Sequence, residues 1–150
     1  MDTFLIDTHS LLRYLIIILY LYVFFRYFSG INAKTAFSAA DNKAGLFLTI
    51  ALDLQLLIGI YLYFVVFQFQ NGEMNMKDPF IRFWKVEHIS GMVIAIFLAH
   101  LGKVLLKRKK EDLAKFRAGL LWYLISFVVL LASIPWPFRA HLGGRWLPWA

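Results

Sequence analysis

The chain has 150 residues, of which 61% are hydrophobic and 18% aromatic, and its mean hydropathy is +0.65. Soluble domains are about half apolar, so this composition excludes an ordinary water-soluble globular domain. The formal net charge is +7 and there is no cysteine, which excludes disulfide scaffolds, iron–sulfur clusters and thiolate metal sites.

Four apolar segments, each near the length that crosses a bilayer, dominate the sequence. They cover residues 4–28, 44–67, 80–106 and 118–138, and about 20 apolar residues are enough to span a hydrocarbon core. No repeat, low-complexity tract or long linker separates them. The sequence therefore predicts an all-α, integral membrane four-helix bundle in a lipid bilayer, folded as a single domain over residues 1–150.

Capping and turn residues set the predicted helix ends. Gly30 suits a C-terminal cap for the first helix, and Asp41 or Asn42 suits an N-cap for the second. The turn-forming stretch QNGEMNMKDP follows the second helix, and its proline, Pro79, suits the first turn of the third. The two prolines of SIPWPFR interrupt the fourth helix, so the aromatic tail HLGGRWLPWA is expected to lie along the membrane surface.

Basic residues are distributed unequally between the two sides of the predicted bundle. The side with the loops after the first and third helices holds ten basic and three acidic residues, and the other side holds six and five. Basic short loops mark the cytoplasmic side, so we expect both termini in the periplasm and a multi-pass protein of the bacterial inner (cytoplasmic) membrane. The run KRKKEDLAKFR is interpreted as a topology determinant, and no nucleic-acid partner is expected.

Two histidines fall at one level of the predicted bundle. At a rise of about 1.5 Å per residue, His9 and His88 both lie about 10 Å from the midplane, on the periplasmic side. Imidazoles on facing helices at one height can supply the two axial ligands of a haem b iron. His88 also shares a helix face with Gly91 and Ala95, small residues that allow close packing. Met92, one turn further on, offers an alternative thioether ligand.

Arginines predicted on the same side are candidates to hold the haem propionates, because a guanidinium group pairs well with carboxylates. Arg13 lies one turn from His9, and the predicted topology places Arg82 and Arg139 on that side as well. His9 and His141 lie near the ends of the chain. The alternative to a ligand role for each of them is simple exposure to water.

Asp53 and His100 are the other ionisable groups deep within the predicted spans. Asp53 lies near the middle of the second helix, where a charge costs at least about 2.5–3.5 kcal/mol, so it should face the bundle, protonated or paired. His100 is expected to hydrogen-bond Asp53 or Ser126, or to reach the interface. The catalytic residues are unknown, but these two are candidates for a proton relay or a quinone-binding group. The alternative is a structural hydrogen bond between helices.

Four stretches carry a family resemblance: HSLLRY (9–14), DNKAGLF (41–47), RFWKVEHISGM (82–92) and IPWPFR (134–139). Together they resemble a family of small bacterial four-helix membrane proteins that are labelled cytochrome B. The resemblance implies haem ligation by His9 and His88. The stretch FWKVEHISGMVIAIFLAH is also loosely similar to the membrane protoporphyrinogen oxidases.

The predicted function is a haem b-binding membrane cytochrome that transfers electrons between quinol and a partner redox protein. An enzyme of this kind would be a membrane oxidoreductase, and quinone is a second expected ligand. Two alternatives stay open, namely a membrane oxidase of porphyrin or haem metabolism and a non-catalytic accessory or assembly subunit of a respiratory complex. The sequence also leaves open whether the chain forms a homo-oligomer.

Overall fold

Four long helices contain most of the residues that the computed structural model describes, which are 2–67 and 75–147. They are α1 (Asp2–Ala33), α2 (Ala39–Leu62, continued by a π-helical turn, Tyr63–Phe67), α3 (Pro79–Lys107) and α4 (Asp112–Ser133). Within these described ranges there is no strand, and a short 3-10 turn, Ala140–Leu142, lies in the tail. The first half of the predicted turn QNGEMNMKDP, residues 70–74, lies outside the described residues. The all-α prediction is confirmed.

All four helices are long and apolar enough to cross a membrane, which indicates a multi-pass membrane protein. Their outward faces are strongly apolar: Phe25, Leu57 and Phe97 each expose more than 60% of their surface. Apolar surface of this extent is far more than a soluble monomer leaves in contact with water.

The helices pack side by side, with each helix touching its neighbours in the order α1, α2, α3, α4 and back to α1. The α3–α4 contact is the most extensive, and the two diagonal pairs, α1–α3 and α2–α4, touch little. Along α3, Ala95 and Ala99 are fully buried, and Gly91 packs against Ser133 of α4. The predicted small-residue face of the third helix is therefore a packing face. Side chains from α1 and α3 that point inward meet in the middle of the bundle.

The predicted cap at Gly30 is wrong, because α1 continues to Ala33 and the left-handed residue after it is Lys34, with a φ of 50°. Gly30 instead allows a close contact with α4. A Cβ atom at this position would lie 2.4 Å from Cζ of the buried Phe116. Small size is the property that this position requires.

The predicted N-caps of α2, Asp41 and Asn42, are also wrong, because the cap is Ser38. Asp41 occupies the third helical position, where its carboxylate accepts a hydrogen bond of 2.8 Å from the Ser38 backbone N–H. The Arg26 guanidinium on α1 contacts the same carboxylate at 2.6 Å. Asp41 thus closes a capping box and ties the end of α1 to the start of α2.

The fourth helix ends at the prolines, as predicted, and therefore before residue 138, where the apolar segment ends. α4 stops at Ser133, and Ile134 is extended, with a φ of −78° and a ψ of 135°. The next residue is Pro135, and a residue before proline avoids the helical conformation. At the start of α3, Pro79 occupies the first turn behind the N-cap Asp78, as predicted.

The tail after α4 covers the end of the bundle at which α1 begins. Arg13 Nη2 donates hydrogen bonds to the carbonyls of Arg145 at 3.1 Å and Trp146 at 3.0 Å. Trp84 Nε1 donates to the carbonyl of Leu142 at 3.0 Å, and the Leu142 side chain is buried. These contacts fix the described part of the tail across α1 and α3.

Candidate functional site

The side chains of His9 and His88 meet at the end of the bundle that the tail covers. Their ring centres lie 6.4 Å apart and the ring planes are inclined at 70°. The two residues come from α1 and α3, a diagonal pair of helices, so they meet in the middle of the bundle. The predicted common level of the two histidines is confirmed.

A backbone carbonyl fixes the orientation of the His88 ring. His88 Nδ1 lies 2.7 Å from the carbonyl oxygen of Ser133, and because a carbonyl can only accept, Nδ1 carries the hydrogen. In the neutral ring, Nε2 then has a free lone pair. Histidines that ligate metals commonly donate their other N–H to a carbonyl or a carboxylate in this way.

A π-helical turn, Phe83–Glu87, directly precedes His88 in α3. The His88 backbone N–H bonds to the carbonyl of Phe83, five residues earlier. Such a turn accommodates one extra residue and changes the direction in which the following side chains point, and π-turns of this kind occur often at functional sites. The rings of Phe83 and Trp84 also contact the His88 ring, at centre-to-centre distances of 5.9 and 5.4 Å.

A cavity of about 80 Å³ lies beside the two histidines and is lined in part by Arg13, Gln55 and Met92. Four buried side-chain polar atoms in the described part of the chain have no hydrogen-bond partner. Three of them, His9 Nδ1, Arg13 Nε and Gln55 Oε1, belong to residues that line this cavity. Leaving a buried polar atom unpaired costs about 1–3 kcal/mol, so their concentration at one place makes the cavity a candidate binding site for a polar group.

The separation of the two imidazole rings can be compared with that of two histidines that ligate one haem iron. A bond between a metal and an imidazole nitrogen is about 2 Å long and the ring centre lies about 1.1 Å behind that nitrogen, so ring centres on opposite sides of an iron are about 6 Å apart. The observed separation of 6.4 Å agrees with this value. The cavity is smaller than a haem macrocycle, so binding requires that side chains such as Met92 move apart.

A site for a bare metal ion is not present among the described residues. In residues 2–67 and 75–147, no three His, Cys, Asp or Glu side chains converge. A haem needs only two ligands from the protein, because the porphyrin supplies four nitrogens.

The three predicted propionate partners are separated in the structure. Arg13 lines the cavity, whereas Arg82 forms an exposed ion pair of 2.7 Å with Glu87. The Arg139 guanidinium lies over the Phe83 ring, 5.1 Å from its centre. Of the three arginines, Arg13 alone is placed to contact a ligand in this cavity.

Gln55 is a site residue to which sequence reasoning assigned no role. Its Nε2 donates to the backbone carbonyl of His9 at 2.9 Å, which links α2 to α1, and its Oε1 is buried beside the cavity. The sequence feature that could have identified Gln55 is a side-chain amide within an apolar span. Burying an amide in hydrocarbon costs free energy unless the group has a hydrogen-bond partner.

A second polar cluster joins α2 and α3 toward the other end of the bundle. His100 Nε2 lies 2.8 Å from Asp53 Oδ1, and Lys103 Nζ donates to Thr49 Oγ1 at 3.1 Å. Asp53 is paired, as expected, but the expectation that it is enclosed by the bundle is wrong. The Asp53 side chain exposes 49% of its surface and that of His100 exposes 43%.

The remaining candidates from the sequence have other partners. Ser126, the alternative partner of His100, is fully buried, where it donates to the Ala95 carbonyl at 2.6 Å and contacts the Tyr20 hydroxyl at 2.5 Å. His141 is exposed in the tail. Neither contributes to the cavity beside His9.

Known proteins provide no assignment for this chain. The sequence matches no family model and no curated protein, and the structure matches no solved structure.

Proposed function

We propose that this protein is a membrane cytochrome in which His9 and His88 ligate one haem b, and that it passes electrons between membrane quinol and a partner redox protein. The observation that carries this proposal is the 6.4 Å separation of the two imidazoles inside the bundle. The three unpaired polar atoms around the same cavity support it.

Each residue around the cavity has a distinct role in this proposal. The Ser133 carbonyl holds the His88 ring so that Nε2 can bind iron. Arg13 has an unpaired Nε for a haem propionate, while its Nη2 anchors the tail. The tail and Trp84 lie at this end of the bundle and would limit the access of water to a bound haem. When bound, the haem supplies one-electron redox chemistry.

The Asp53–His100 pair is the proposed acceptor of protons. Oxidation of a quinol to a quinone releases two protons together with two electrons, and a carboxylate and an imidazole can both accept a proton. The pair is about half exposed on the surface that α2 and α3 present to the surrounding lipid, so a membrane-soluble quinol can approach it. His100 lies about 18 Å along α3 from His88, so proton acceptance is separate from iron ligation.

Absorption spectroscopy tests the cytochrome proposal directly. The detergent-purified protein is expected to show a sharp α-band after reduction with dithionite, as low-spin bis-histidine haem does. One haem per chain is the expected stoichiometry, since the described residues provide one such pair of histidines. A folded protein that stays colourless after haem is added would contradict the proposal and favour an accessory or assembly subunit.

The orientation that we propose places both termini and the start of α3 in the periplasm and the loop between α3 and α4 in the cytoplasm. Its support is the excess of basic residues in that loop and in the loop after α1. Because the chain has no cysteine, single cysteines at the exposed positions Asn75 and Lys109 can be labelled without background. An impermeant thiol reagent added to intact cells should label position 75 and not position 109. The reverse pattern would overturn the orientation.

A further inference from the structure

A cavity near the α3–α4 loop is unrelated to the histidine pair. It has a volume of about 530 Å³ and lies between the end of α3 and the first turns of α4. Three cationic side chains line it, from Arg108, Lys109 and Arg117, together with one carboxylate, from Glu111. We call this cavity the basic cleft.

The cations of the basic cleft are available for a ligand. Arg108, Lys109 and Arg117 are all exposed. The ion pairs found in the described part of the chain, including that of Lys115 with Asp112 nearby, involve none of the three. With Glu111 as the one acidic residue, the cleft carries an excess of positive charge and suits an anionic ligand.

The other wall of the basic cleft is apolar. Leu105 on α3 and Leu113, Leu121 and Trp122 on α4 line it, and Leu121 exposes 54% of its surface. Trp122 lies five residues beyond Arg117, about 7–8 Å further along α4, within the membrane-spanning part of the helix. Apart from Leu113, which lies nearer the start of α4 than Arg117, the cleft therefore changes from cationic to apolar in the direction in which a lipid passes from headgroup to acyl chain.

We propose that the basic cleft binds an anionic phospholipid of the bilayer, with the phosphate held by Arg108, Lys109 and Arg117 and the acyl chains packed along Leu121 and Trp122. A basic pocket between helices at the membrane interface has the chemistry that such headgroups require. One guanidinium group can donate two parallel hydrogen bonds to the oxygens of a phosphate, and such charge-assisted bonds are strong. A water-soluble anion or acidic protein would leave the apolar wall uncovered, whereas a phospholipid covers both walls. The proposal is independent of haem binding.

Native mass spectrometry of the detergent-purified full chain tests the proposal, with phosphatidylglycerol and phosphatidylcholine of identical acyl chains as probes. The chain is expected to retain phosphatidylglycerol preferentially. The double variant with Arg108→Gln and Arg117→Gln should bind it about tenfold more weakly or worse. The control is Lys107→Gln with Lys110→Gln, which removes the same charge from the same loop outside the cleft and should weaken binding less than about twofold.

Two further measurements distinguish a specific lipid-binding site from general attraction of anions to a basic surface. Ala114→Trp keeps every cation but fills the cleft, so it should also abolish the preference for phosphatidylglycerol. Inorganic phosphate in excess should not displace the lipid, because it cannot occupy the apolar wall. Equal loss in the two double variants, an unaffected Ala114→Trp variant, or displacement by phosphate would each overturn the proposal.

Discussion

Alanine in place of His9 or His88 is expected to remove the low-spin haem spectrum, and the two single variants should look alike. Each substitution removes one of the two iron–nitrogen bonds that the protein would provide. The two rings lie 6.4 Å apart beside one cavity, and no third imidazole is among the residues that line it. The measurement is the reduced-minus-oxidised spectrum, together with the haem-to-protein ratio of the purified variants.

Two matched variants show whether the loss is specific. His100→Ala removes an imidazole from the same helix about 18 Å away and should keep the low-spin spectrum. Ser133→Ala should keep it too, because the acceptor for His88 Nδ1 is the backbone carbonyl and the Ser133 hydroxyl bonds to Val129 instead. If His100→Ala lost haem while His9→Ala retained it, the ligand pair would have to be sought at the other end of the bundle.

Chemical rescue distinguishes a lost ligand from a damaged fold. Glycine at position 88 leaves a space of the shape of the missing ring, beside Phe83 and Trp84. Free imidazole added to His88→Gly should therefore restore low-spin character, as it replaces the ligand without the backbone attachment. A folded variant that binds haem but does not respond to imidazole would assign His88 a packing role.

The common height of His9 and His88 was predictable because it depends on regular geometry. A constant rise per residue and the shared direction of the first and third helices place the two residues at one height, whatever the details of packing. The packing face of α3 was predictable for a similar reason, because Gly91, Ala95 and Ala99 recur at a helical spacing.

The orientation of the His88 ring could not be predicted, because every residue has a carbonyl and nothing in the sequence marks that of Ser133. The π-helical turn before His88 also has no sequence pattern of its own. The contact between His88 and the Ser133 carbonyl depends on how α3 packs against α4. The position of Asp53 on an outer face depends likewise on how α2 is rotated in the bundle.

The arginines show the limit of predictions that rest on membrane side alone. Arg13 was assigned from its spacing to His9 within one helix, and it does line the cavity. Arg82 and Arg139 were assigned from topology, which fixes a side of the membrane but not a direction around the bundle axis. Local partners, Glu87 and the Phe83 ring, hold these two away from the cavity.

Asp53→Asn is expected to leave the protein folded and its haem spectrum unchanged, but to slow reduction of the haem by quinol about a hundredfold or more. The asparagine oxygen can still accept a hydrogen bond from His100 Nε2 at the present 2.8 Å, so the link between α2 and α3 persists. The amide cannot take up a proton as a carboxylate does. The measurement is the rate at which a short-chain quinol reduces the haem in the purified variant, followed by absorbance.

The neighbouring hydrogen bond provides the control for that loss. Thr49→Val has nearly the same shape as the original side chain and removes the bond from Lys103 Nζ to Thr49 Oγ1, one turn from Asp53 on the same face. It should lower stability slightly and leave the rate of quinol oxidation close to that of the unaltered protein, because no group that accepts protons is lost. Equal slowing in both variants would mean that the cluster acts only by holding α2 against α3. An unaltered rate in a folded Asp53→Asn protein would remove Asp53 from the proton path, and the hydrogen bond with His100 would then be purely structural.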